Sequence, residues 1–243
     1  MSTVIATSVL PDSTANDTLT FGATGDSVVI SGDSLNLNTL QDSGGNNIFV
    51  SDGSGTITSK NSGFPGAYKL ITTSTFTNQS SVSFTTQLTS TYDVYIFKFI
   101  DINPATDATR FRFQCSTDGG SNYNTVVTST TFKAYHTEGG SGALTYDIET
   151  DQQQGTSMQD LTGDIGSASD ECGVGELHLF TPSSTSYLKH FQSIVQSYDS
   201  APQSRQTFAA GYFTTTSALN AITFDMLSGN FDGTIKLYGI SKS

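Results

Sequence analysis

The chain has 243 residues, a mass of 25.7 kDa, and 22 acidic against 10 basic residues, for a net charge of −12. Only 13% of residues are charged, Trp is absent, and Ser, Thr, Gly, Asn and Asp abound, so the residues that build long helices are scarce. Nothing forms the basic groove that nucleic acid needs, and no apolar stretch is long enough to cross a bilayer.

The first residues, MSTVIATSVLPDST, carry neither a basic start nor a long apolar run, so no secretory signal is expected and the product is made in a cytoplasm. Residues 18–58 then read as a β-meander of very short strands. TLTF, SVVIS, SLNLNTL, NIFVS and GTIT are separated by SGD, DSGGN and SDGSG, turns rich in Gly, Asp and Asn. Twelve large apolar residues in this stretch are few against the entropy of ordering about forty residues. The meander is therefore expected to borrow its core from sister chains. Leu19, Phe21, Val28, Ile30, Leu35, Leu37, Ile48 and Val50 are the candidate oligomer-interface residues.

SKNSGFPGAY, 59–68, brings Gly and Pro together with the first Lys and the first Tyr, and marks a hinge. It predicts two domains, an anchoring or trimerising meander over 1–64 and a β-sandwich of jelly-roll type over 65–243. Within the second, YDVYIFKFI (92–100) is apolar on both faces and is expected to be central in its sheet. TRFRFQC (109–115) alternates, with Phe111, Phe113 and Cys115 on one face and Arg110, Arg112 and Gln114 on the other.

Further strands are expected at 123–136, 175–180, 205–213, 219–226 and 233–240, the last two forming a hairpin around SGNFDG. SYLKHFQSIVQSYDS (186–200) carries helical spacing but is read as a strand from its Ser content and its neighbours. Residues 139–172 are Gly-, Gln- and Asp-rich, and long loops with weak strands are expected there. The whole is all-β.

STDGGSNYN (116–124) reads first as a Gly-mediated hairpin turn between the strands on either side. The alternative is weak Ca²⁺ binding by Asp118, Asn122 and Asn124, or by Asp160, Asp164, Asp170 and Glu171, although the full EF-hand pattern is missing. His136, His178 and His190 have no metal-site spacing, and Cys115 and Cys172 make no disulfide framework. In GELHLF, His178 shares a face with Glu176 and Phe180. The four glutamates (Glu138, Glu149, Glu171 and Glu176) form no recognisable acid–base pair, no nucleophile elbow is present, and no cofactor is implied.

STYDVYIFKFIDINPATD, FQCSTDGGSNYN, KAYHTE, LHLFTPSST with YLKHF, and the closing GYFTTTSALNAITFDMLSGNFDGTIKLYGI together resemble a domain common in virion proteins of marine bacteriophages. Those phages infect cyanobacteria and other abundant ocean bacteria. The resemblance covers roughly residues 66–240, and the front of the chain looks like the β-repeat leaders of tail fibres and spikes. It implies a non-enzymatic virion component: a trimeric fibre, spike or knob of the tail, or a capsid decoration, contacting other virion proteins. A carbohydrate-binding adhesin whose loops 101–109 or 137–172 contact a host glycan is the second expectation, and a polysaccharide depolymerase the third.

Overall fold

Alternation between apolar and polar residues, punctuated by Gly-rich turns, produces strands throughout. The computed structural model describes residues 39–41, 45–54, 56–60 and 68–240, and contains no helix among them. The chain divides into two compact units, Met1–Phe64 and Pro65–Ser243. In the first, β1 (Thr39–Gln41), β2 (Asn47–Ser51) and β3 (Ile57–Lys60) form an antiparallel sheet in the order β1-β2-β3. The β2–β3 turn is held by Asp52, whose carboxylate accepts from the backbone N–H groups of Ser54 at 2.8 Å and Thr56 at 3.2 Å. Ile48 and Val50 lie half-buried on β2. Leu19, Phe21, Val28, Ile30, Leu35 and Leu37 lie outside the described residues.

The second unit holds two sheets. The larger contains β4 (Tyr68–Gln79), β6 (Val94–Pro104), β8 (Val127–Thr137), β9 (Gly142–Tyr146), β11 (Gly173–Phe180), β12 (Lys189–Tyr198), β13 (Gln203–Phe213) and β15 (Phe231–Ile240). Its order is β4-β15-β6-β11-β12-β13-β8-β9, antiparallel throughout. The smaller contains β5 (Ser81–Phe84), β7 (Phe111–Ser116), β10 (Gln159–Asp160) and β14 (Ala221–Met226) in the order β10-β7-β14-β5.

The two sheets share one core, in a sandwich-like arrangement. Phe97 and Phe99 from β6 meet Phe111 and Phe113 from β7 and Phe224 from β14, all at most 2% exposed. β6 is central, between β15 and β11, as its two apolar faces require. On β7, Phe111, Phe113 and Cys115 enter the core. Gln114 faces the other way and donates to the carbonyls of Thr156 at 3.2 Å and Ser157 at 2.9 Å, so the loop before β10 covers it. Residues 186–200 do supply a strand, β12. Cys115 and Cys172 are both free thiols, and burial pushes that of Cys115 up.

Two local readings are corrected. SGNFDG does not close a hairpin, because β14 pairs with β7 and β5 in the small sheet while β15 pairs with β4 and β6 in the large one. Likewise 116–126 joins β7 of one sheet to β8 of the other. A turn signal marks a reversal of the chain. It carries no information on whether the departing strand bonds to its predecessor or crosses to the facing layer, which in a sandwich satisfies the backbone equally well.

Candidate functional site

The outer face of the large sheet, turned away from the core, is the most site-like surface of the second unit. Cross-strand registers assemble it in rows. Tyr146, Phe132, Phe208 and Ile194 run from β9 to β12, and the row continues as Glu176 on β11 and Lys98 on β6. Beside it lie Leu144, Ala134, Gln206, Gln196 and Val174, and on the other side Thr130, Ala210, Gln192 and His178. The outermost row carries Thr128, Tyr212 and His190.

One half of this face is apolar. The Phe132 and Phe208 rings stack at 4.6 Å with planes 10° apart, and Phe132, Leu144 and Tyr146 remain 43%, 70% and 55% exposed. A ridge of this kind left in water is uncommon on a monomer and marks a contact surface.

The other half is hollowed, with amide, imidazole and hydroxyl groups set in a mainly apolar lining. One hollow of ≈ 420 Å³ lies between Thr128, Tyr212, His190 and Gln192. A second of ≈ 110 Å³ lies between Gln192, His178, Glu176 and Ile194, and a third of ≈ 290 Å³ between Ile194, Glu176, Gln196 and Gln206. Gln192 borders the first two, and Glu176 and Ile194 border the last two, so the three hollows follow one another along β12 as a trough divided by side chains. From His190 to Gln196 that strand spans about 20 Å at ~3.3 Å per residue. Part of the depth comes from β13, where Ala210 and Gly211 carry little or no side chain. A Cβ on Gly211 would lie 2.4 Å from the Thr128 carbonyl oxygen and 2.9 Å from the Phe191 ring.

Among the described residues the trough's only carboxylate, Glu176, is already paired. Lys98 Nζ bonds its Oε2, and His178 Nε2 lies 2.9 Å from its Oε1. The Lys98 hydrogen bond holds the Glu176 carboxyl below the usual carboxylate range, so it stays ionised and its charge is balanced on the spot. His178 does share its face with Glu176 and Phe180. His190 lies beside Tyr212, with ring centroids 5.9 Å apart, and His136 is exposed on the same sheet face of β8.

The oxygen-rich clusters in the loops have other occupants. Asp118 accepts from Ser116 Oγ at 2.6 Å, from the Asn122 backbone N–H at 2.9 Å and from Asn122 Nδ2 at 2.7 Å. These bonds hold its carboxyl down at about 2. Asn122 thus turns its donor, not its oxygen, towards Asp118, and the carboxylate is spent on the turn. Asp160 and Asp164 converge on a cation, but that cation is Arg110, at 3.3 and 3.1 Å, with Glu149 at 3.2 Å. Glu171 Oε2 accepts from the Ala168 N–H at 2.8 Å. Among the described residues no group of three His, Cys, Asp or Glu side chains is arranged to hold a metal ion.

Asp160, 9% exposed, has its carboxyl pushed up to about 6 by burial, with Arg110 pulling the other way. A carboxyl that holds its proton more tightly folded than unfolded contributes stability fully below its unfolded value of 3.8, and that contribution is lost as pH rises through about 6. Two units amount to about 3 kcal/mol. Asp160→Asn removes this dependence, so relative to the parent its stability is expected to rise by about 2–3 kcal/mol between about pH 4 and about pH 7. Urea unfolding of both proteins at the two pH values checks it, and parallel pH profiles would refute it.

No family model, no curated protein and no solved structure matches this chain. The geometry itself defines the class: an all-β chain whose second unit is a two-sheet sandwich-like structure with an open, half-apolar outer sheet face. No helix among the described residues is long and apolar enough to cross a membrane. Of the residues forming that face, Leu144 and Tyr146 fall within the 137–172 stretch expected to contact a glycan, whereas Phe132, Phe208, Gln192 and Gln206 were not among the sequence-derived site candidates. The outward Gln192 and Gln196, four apart on one strand, were the available signal.

Proposed function

We propose that the chain is a non-catalytic component displayed on a bacteriophage particle, as a tail fibre, spike, knob or capsid decoration. Residues 1–64 serve as its assembling part and the outer face of the large sheet as its contact surface. The observation that carries this reading is that face: a ridge of exposed Phe132, Tyr146 and Leu144 with half-buried Phe208, beside a trough containing, among the described residues, a single, neutralised carboxylate. Hydrolysis of a glycosidic bond uses two carboxyl groups, one of them kept protonated. Glu176 has no carboxylate partner in the trough among the described residues, and its pKa is shifted the wrong way for a general acid. Virion identity comes from the sequence resemblance over residues 66–240, and the trimer from the sparse apolar content of 18–58.

Light scattering tests the assembly. The full chain is expected at three times 25.7 kDa, and a chain starting at Phe64 at its monomer mass. A monomeric full chain would overturn the assembling role of residues 1–64.

A further inference from the structure

We infer that the trough along β12 is a binding site for an uncharged polysaccharide strand. This goes beyond a contact surface in general and rests on the reading of the chain as a displayed component.

Three observations carry it. The site is elongated, about 20 Å at the rise of a β-strand, because the hollows follow one another along β12 and neighbours share Gln192, Glu176 and Ile194. That shape fits a linear chain of several units better than one small molecule.

The lining is charge-neutral. Lys98 and Glu176 cancel, and the remaining polar groups are amides, imidazoles and hydroxyls. On a chain of net charge −12, a polyanion is repelled and finds no unpaired Lys or Arg in the trough among the described residues. A polyol is matched, since Gln192 and Gln206 each offer a donor and an acceptor, and neither side chain bonds to a protein group among the described residues.

Recognition here must come from side chains. Extended peptides pair with sheet edges, whereas the trough lies on a sheet face, where β11, β12, β13 and β8 already spend their backbone groups on one another. Sugars present hydroxyls on their edges and apolar C–H faces. Amides along the trough and the Phe208–Ile194 flank supply both partners.

The full chain is screened on an array of neutral and anionic glycans, and the best neutral hit is titrated by calorimetry. Binding to a neutral glycan is expected. Gln192→Ala and Gln206→Ala are each expected to weaken it about tenfold, the loss of roughly one hydrogen bond, with melting temperature unchanged. Ala210→Trp, which fills the largest hollow from an exposed position, is expected to abolish binding. The site is refuted if no neutral glycan binds, if anionic glycans bind as tightly, or if all three variants bind like the parent. It is equally refuted if Ile194→Glu lowers the particle mass in light scattering, since a second copy then covers the face. Light scattering of the full and shortened chains tests the assembly reading separately, so either can fail while the other stands.

Discussion

Replacing Phe224 with alanine is expected to lower the stability of the second unit by about 4–5 kcal/mol, at the upper end of the range for buried aromatic truncations. Phe224 is fully buried, and its ring contacts five others: Phe84 at 6.2 Å, Phe97 at 5.2 Å, Phe99 at 5.4 Å, Phe111 at 5.7 Å and Phe113 at 6.3 Å. Those rings come from both sheets, so they cannot all follow the missing side chain inward without one sheet moving against its own hydrogen-bond ladder. The cavity therefore persists, and its cost adds to the lost transfer energy.

At roughly 2–4 °C per kcal/mol for a unit of this size, the melting temperature falls by about 8–20 °C. Phe224→Leu refills most of the volume and is expected to lose much less, about 1–2 kcal/mol. Denaturant unfolding of the two variants separates the cases. A loss under about 2 kcal/mol for the alanine variant would show that the ring cluster collapses freely and does not tie the sheets together.

How much of this core was legible depended on whether a strand shows one face or two. β7 declared its inward face through Phe111, Phe113 and Cys115, and β6 declared its central place by being apolar on both sides. β4 was not read as a strand at all: TTSTFTNQ offers little apolar alternation, and it becomes a strand because β15, some 150 residues later, supplies its ladder. β12 carried misleading helical spacing because Ile194 and Tyr198 face outward while small Ser193 and Ser197 face inward, the reverse of the simple pattern. The trough was illegible for a related reason. Its Gln, His and Tyr residues come from β11, β12 and β13, and only the register places them side by side. The acidic loops left a choice open for a different reason, since sequence shows clustered carboxylates but not that Arg110 sits among Asp160, Asp164 and Glu149.

Arg205→Ala is expected to cost about 3–5 kcal/mol, for a reason unlike that at Phe224. The interior end of β13 is polar. Arg205, 8% exposed, donates from Nη2 to Asp147 at 2.6 Å and from Nη1 to Asp199 at 3.3 Å, and both aspartates are buried. Asp147 begins the loop between β9 and β10, whose backbone N–H bonds Thr131 O at 2.9 Å, so the guanidinium pins that loop over the sheet. Gly163 lies directly against it, and a Cβ there would fall 1.9 Å from Arg205 Cζ. Removing the guanidinium leaves two buried carboxylates; Lys133, 3.3 Å from Asp147, compensates only one of them.

The penalty is thus the cost of orphaned charge, not the net worth of the ion pairs, and the two are separable. Arg205→Met, which restores the packing but not the charge, is expected to be nearly as damaging as alanine. The triple variant Arg205→Met, Asp147→Asn, Asp199→Asn is expected to recover more than half of the loss, because nothing charged is left stranded except the half-buried Lys133. Urea unfolding of the single and triple variants decides it. If the triple variant is no more stable than Arg205→Met, the attraction within the network stabilises this end of the sandwich in its own right, and the desolvation account fails.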